Sequence, residues 1–175
     1  KIQPLSEISL QETPRFSSGF HELDRVLGGG IVPGSAILIG GHPGAGKSTL
    51  LLQVMCGLAK NMTALYVTGE ESLQQVAMRA NRLGLPPDRL QMLSETSVEQ
   101  ICNLADQLKP QIIVVDSIQV MHLSDIQSSP GSVAQVRECA AFLTRYAKTR
   151  QVAIIMVGHV TKDGTLAGPK VLEHA

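Results

Sequence analysis

The chain has 175 residues, 43% of them hydrophobic and 17% charged, which suits one globular domain and excludes a disordered segment. Fifteen basic side chains balance fifteen acidic ones, so there is no general pull toward nucleic acid. With two Tyr, three Phe and no Trp, there is also no aromatic platform for stacking single-stranded bases.

No apolar run approaches the ~20 residues of a membrane span. Lys1-Ile2-Gln3-Pro4 leads into no apolar stretch of the signal-peptide kind. The expectation is a soluble, cytoplasmic domain over residues 1–175 with no membrane contact. Cys56, Cys102 and Cys139 lie far apart, each within a helical apolar pattern. Buried free thiols are expected, not a disulfide framework or a zinc site.

Residues 1–17, interrupted by Pro4 and Pro14, read as an irregular lead over the surface. Ser18 to Leu27 predicts a short helix with Phe20, Leu23 and Leu27 on one face, ended by Gly28-Gly29-Gly30. Ala36-Ile37-Leu38-Ile39-Gly40 is a short apolar run of buried-strand type. It opens into Gly41-His42-Pro43-Gly44-Ala45-Gly46-Lys47-Ser48, followed by Thr49. This fits G-x-x-x-x-G-K-[ST], and the apolar helix running from Thr49 to Ala59 completes the strand–loop–helix context that a phosphate-binding loop requires.

The residue types follow from the chemistry. Triphosphate oxygens need many donors in a small space, and backbone N–H groups converge only where no Cβ intervenes, hence Gly44 and Gly46. A helix starting near Lys47 adds its N-terminal dipole. Lys47 can reach the β- and γ-phosphates, and the Ser48 hydroxyl can ligate Mg²⁺. ATP or ADP with Mg²⁺ is the expected ligand set, held by residues 41–49.

Further on, Ala64 to Thr68 predicts a second strand, ending in Gly69-Glu70-Glu71-Ser72. The helix after it has a stripe of Leu73, Val76, Ala77, Ala80 and Leu83, with Gly84 as stop. Leu90 to Leu93 is a third strand. Ser97 with Gln100 fits a capping box ahead of Val98, Ile101, Cys102, Ala105 and Leu108, and Pro110 ends that helix. Ile112 to Asp116 is a buried strand ending in an acid. Residues 117–131 form a long loop, of the length that is usually functional or mobile. Ser132 and Gln135 again fit a capping box, and Val133, Val136, Ala140, Leu143 and Ala147 form the inward face of the next helix. Val152 to Val157 is the last clear strand, leading to Gly158-His159, and 160–175 shows no clear element.

Strands that alternate with helices imply an α/β fold, a mostly parallel central sheet with helices on both faces and ligands at the carboxyl ends of the strands. The glycine loop, Glu70, Asp116 and His159 all fall at those ends. Asp116 can hold Mg²⁺ beside Ser48. Glu70 is preferred as the carboxylate that orients the attacking water, with Glu71 in support, because adjacent side chains in extended backbone point opposite ways. The alternative is that both are first-turn acids favoured by a helix dipole. His159 could donate to the γ-phosphate. Arg137, Arg145 and Arg150 read as a solvated helix face, with an arginine finger to a neighbouring subunit as the sharper reading.

Together, Ser18-Gly19-Phe20-His21-Glu22-Leu23-Asp24-Arg25-Val26-Leu27-Gly28-Gly29-Gly30, the glycine loop, Gly69-Glu70-Glu71-Ser72 and Val115-Asp116-Ser117-Ile118-Gln119 resemble the RecA-like ATPase core. More closely, with Ser129-Pro130-Gly131-Ser132-Val133-Ala134-Gln135-Val136-Arg137-Glu138, they resemble the bacterial DNA-repair ATPases of that class. The resemblance implies a Mg-dependent, DNA-stimulated ATPase of recombinational repair that binds single-stranded DNA, promotes branch migration as a ring-shaped homo-hexamer and works beside a recombinase filament. It implies that Glu70 is the catalytic glutamate, Asp116 the metal-side acid and His159 the phosphate sensor. It places Arg79 against the adenine, and residues 121–131 and 160–171, with Lys162 and Lys170, toward DNA. The family also carries a four-cysteine zinc module and a protease-like C-terminal domain, so the chain reads as an ATPase core without them. Paired glutamates also resemble KaiC-like ATPases and kinases, against which the Ser-Pro-Gly-Ser-Val run argues. A third reading is a nucleotide-gated, non-enzymatic assembly scaffold.

Overall fold

The structure is a computed structural model that describes residues 2–9, 14–41, 46–159 and 171–173. Its elements in chain order are α1 (His21–Val26), β1 (Ala36–Gly41), α2 (Lys47–Leu58), β2 (Ala64–Thr68), α3 (Leu73–Arg82), β3 (Gln91–Ser94), α4 (Val98–Leu108), β4 (Ile112–Asp116), α5 (Val133–Arg150), β5 (Ala153–His159) and β6 (Val171–Glu173). Single 3-10 turns lie at Leu5–Glu7 and Ile118–Val120.

The six strands form one sheet in the order β3-β2-β4-β5-β1-β6, and every pairing is parallel. Every residue of β2 and β4 is buried, which is why both read as continuous apolar runs instead of alternating ones. The strand period of two then divides the core. Leu65, Val67, Ile113, Val115, Ile154 and Met156 pack under α4 and α5. Ala64, Tyr66, Ile112, Val114, Ile155 and Val157 pack under α2 and α3, with Leu23 of α1. All three cysteines are buried and free.

Several expectations shift in detail. Residues 171–173 form β6 beside β1, where the sequence shows no clear element; a three-residue strand is too short to carry a period. In α3 the stripe narrows to Val76 and Ala80, while Leu73 and Leu83 are exposed, because this helix leads to the edge strand β3. Val133 is 57% exposed and Cys139 takes its place on the inward face of α5. Segment 117–131 is no free loop: Ile118, Met121 and Leu123 are buried in the core under α4 and α5.

The caps differ too. Ser97 and Ser132 accept from the backbone N–H groups of Gln100 and Gln135 as expected. The reciprocal box closes instead at Ser72 and Gln75. The Gln135 side chain turns inward. Its Oε1 accepts from Leu123 N–H at 2.9 Å, and its Nε2 donates to the Ser128 carbonyl at 2.7 Å and the Ile126 carbonyl at 3.4 Å.

Candidate active site at the carboxyl edge of the sheet

The strand order brings the carboxyl ends of β2, β4, β5 and β1 side by side. Thr68 is level with Asp116, Asp116 with Val157, and Gly41 with His159. Glu70, Asp116, His159 and the start of the glycine loop therefore share one edge.

At the β1 end, Gly46 has φ of 82° and caps α2, a conformation that glycine adopts without a Cβ clash. A Cβ on Gly41 would lie 2.8 Å from Cε of Lys47, so the bare Gly41 is what seats the lysine stem over the strand end. Burial lowers the Lys47 pKa, and an anionic ligand would offset that desolvation. Ser48 and Thr49, in the first turn of α2, are half-buried. His42, Pro43, Gly44 and Ala45 lie outside the described residues, as do Lys162 and Lys170.

Asp116 is buried at the end of β4, and its Oδ2 accepts from the Tyr66 hydroxyl at 2.7 Å. Burial first, and the Asp116 charge second, push the Tyr66 phenol well up, so it stays a donor. Next to it, the fully buried Ser117 donates its Oγ–H to Oε1 of Glu70 at 2.8 Å. Nε2 of His159 lies 3.3 Å from the same oxygen. The His159 backbone is held in turn by Gln119, whose amide accepts from its N–H at 3.1 Å and donates to its carbonyl at 3.3 Å. That side chain stands where a further rung from β4 would be.

Glu71 faces elsewhere. Nη1 of Arg79 donates to both of its carboxylate oxygens, at 2.7 and 2.8 Å. Arg79, which the resemblance sets against adenine, is thus engaged with Glu71; its side chain is 16% exposed, and Nε and Nη2 are enclosed with no partner among the described residues. Arg150 pairs with Asp106 of α4, and Arg145 lies over the Phe142 ring. Sequence reasoning gave no role to Tyr66, Ser117 or Gln119. A tyrosine inside an apolar strand was the available signal, since a buried phenol needs a partner.

Among the described residues no three His, Cys, Asp or Glu side chains are grouped to hold a metal. Mg²⁺ asks for less, one or two hard oxygen ligands with waters completing the shell. Ser48 and Asp116 supply that donor type.

A family model described as an AAA domain matches residues 3–165. The chain belongs to the AAA domain family. What its AAA domain provides is ATPase machinery. Among curated relatives, the DNA repair protein RadA of Haemophilus influenzae is 95% identical over 175 residues, covering 100% of this chain and 38% of that protein. RadA of Escherichia coli is 76% identical over 174 residues, and RadA of Bacillus subtilis 51% over 175, each covering 99% of this chain and 38% of the relative. The resemblance to bacterial DNA-repair ATPases is thereby met. The chain spans well under half the length of the relatives it matches. No helix among the described residues is long and apolar enough to cross a membrane.

Proposed function

We propose that this AAA domain binds ATP and hydrolyses it with the aid of Mg²⁺, as the motor core of a protein that repairs DNA. The observation that supports it best is the grouping of Glu70, Ser117 and His159 at the sheet edge that also receives Lys47 and Asp116. Lys47 binds the β- and γ-phosphates. Ser48 and Asp116 would hold the metal, which when bound neutralises phosphate charge. Glu70 orients the attacking water and draws its proton. His159 contacts the γ-phosphate and senses its loss. The relatives' name supports the role in DNA repair. The motif resemblance supports single-stranded DNA and a homo-hexameric ring that promotes branch migration beside a recombinase filament.

The test is ATP hydrolysis by the complete protein, with and without single-stranded DNA, across a salt series. Stimulation that fades as salt rises is expected, because phosphate contacts release counterions. Hydrolysis indifferent to DNA at every salt concentration would overturn the DNA-driven reading. Lys47→Ala should abolish nucleotide binding or turnover, and Glu70→Gln should keep binding while losing turnover.

A further inference from the structure

The turn after β4 carries two polar side chains that both reach into the rim. Ser117 is fully buried, and its hydroxyl donates to Glu70, 47 residues earlier in the chain. Gln119 grips both backbone polar groups of His159, 40 residues later. Glu70 comes from the β2 end and His159 from the β5 end, and β4 lies between these two strands in the sheet. The turn therefore reaches both groups from the strand between them.

We infer that Ser117 is a positioning residue for hydrolysis, which fixes the Glu70 carboxylate by its Oε1 so that Oε2 meets the attacking water. The inference rests on the proposed role of Glu70. The 43% exposed Glu70 side chain would otherwise sample several rotamers at the end of a strand. One carboxylate oxygen takes both the serine hydroxyl and the histidine ring, while Oε2 has no partner among the described residues. A general base must lie within hydrogen-bond reach of the proton it takes, so a carboxylate held by one oxygen presents the other in a defined place. Gln119 completes the arrangement by holding the strand end from which His159 reaches that same oxygen.

A residue that served only to fill space would change stability, or kcat and nucleotide affinity together. One that aims a carboxylate changes kcat alone.

The experiment is steady-state ATP hydrolysis by the complete protein for wild type, Ser117→Ala, Ser117→Cys and Glu70→Gln, with nucleotide affinity measured in parallel. Ser117→Ala should lower kcat roughly tenfold and leave nucleotide affinity unchanged, and Ser117→Cys, which keeps a weaker donor, should fall between it and wild type. Wild-type kcat in Ser117→Ala, or kcat and nucleotide affinity lost together, with Glu70→Gln inactive, overturns the inference and leaves the role of Glu70 standing. Full turnover in Glu70→Gln overturns that role and the inference with it. If Ser117→Ala fails to fold, Ser117→Cys should still lower kcat at unchanged affinity; wild-type kcat there overturns the inference equally.

Discussion

Gln135→Ala tests how the segment after β4 is held. Gln135 is 1% exposed, and its amide carries three backbone groups of residues 123–128. Removing it leaves the buried Leu123 N–H without its 2.9 Å acceptor, at about 1–3 kcal/mol. The Ser128 and Ile126 carbonyls belong to half-buried residues that water can reach, so their lost bonds add about 1 kcal/mol together. The sum is about 2–4 kcal/mol, a large part of the roughly 5–15 kcal/mol that holds a domain folded. Urea denaturation should show the midpoint falling with the slope unchanged, and amide exchange at Leu123 should accelerate. Gln135→Glu should also destabilise at neutral pH: it keeps the acceptor for Leu123 but sets a carboxylate against two carbonyls. A Gln135→Ala protein within about 0.5 kcal/mol of wild type would refute the reasoning, since that is the range of surface substitutions.

A Cβ at Gly69 would lie 2.5 Å from Cγ2 of Val120, so Gly69→Ala should destabilise by about 1–3 kcal/mol through overpacking. Val120→Ala should recover part of that loss in a double-mutant cycle, and additive effects would show that the clash is relieved elsewhere. The Ser124 hydroxyl holds the Glu99 carboxyl below its ordinary value, and the Arg150 guanidinium does the same for Asp106. A depressed folded pKa gives stability that is present above the unfolded value and lost as pH falls through the folded one. Stability should therefore drop below about pH 4.3, the ordinary Glu value, and Glu99→Gln should flatten part of that drop in a pH series of melting curves. Glu71→Gln should lower stability by about 1–3 kcal/mol, because the partly enclosed Arg79 loses its charged partner, while hydrolysis persists. Loss of turnover in Glu71→Gln with stability unchanged would show that Glu71, not Glu70, does the chemistry.

Much of the fold is legible in the sequence because its signals are local. Five short apolar runs between helical periods specify a covered parallel sheet, and strands buried on both faces need no alternation to be seen. What is missed is set by neighbours in space. β6 depends on pairing with β1, not on three residues of its own pattern. Val133 has the right period for the core of α5, but it sits in the first turn of the helix and is left exposed. Gln135 satisfies a capping pattern three residues after Ser132, yet the buried Leu123 N–H is the stronger claim on its amide. The rim acids were legible as residues at strand ends. Their supports were not, since the Ser117–Glu70 and Tyr66–Asp116 bonds span 47 and 50 residues.

The two adjacent glutamates show how one local rule becomes two roles. Thr68 receives the Glu71 N–H on its hydroxyl and donates back to the Glu71 carbonyl, which fixes the turn after β2. The chain leaves that turn with the side chains of residues 70 and 71 pointing to different elements. Glu71 turns to α3, where Arg79 takes both of its oxygens and leaves it no acceptor unoccupied by charge. Glu70 turns to the β4 and β5 ends, where its partners are a neutral hydroxyl and an imidazole that share one oxygen. A carboxylate with both oxygens held by one guanidinium nitrogen is turned away from the rim. A carboxylate anchored through one oxygen leaves the other without a partner among the described residues. The sequence places two equivalent acids side by side, and the arginine eight residues after Glu71 makes them unequal.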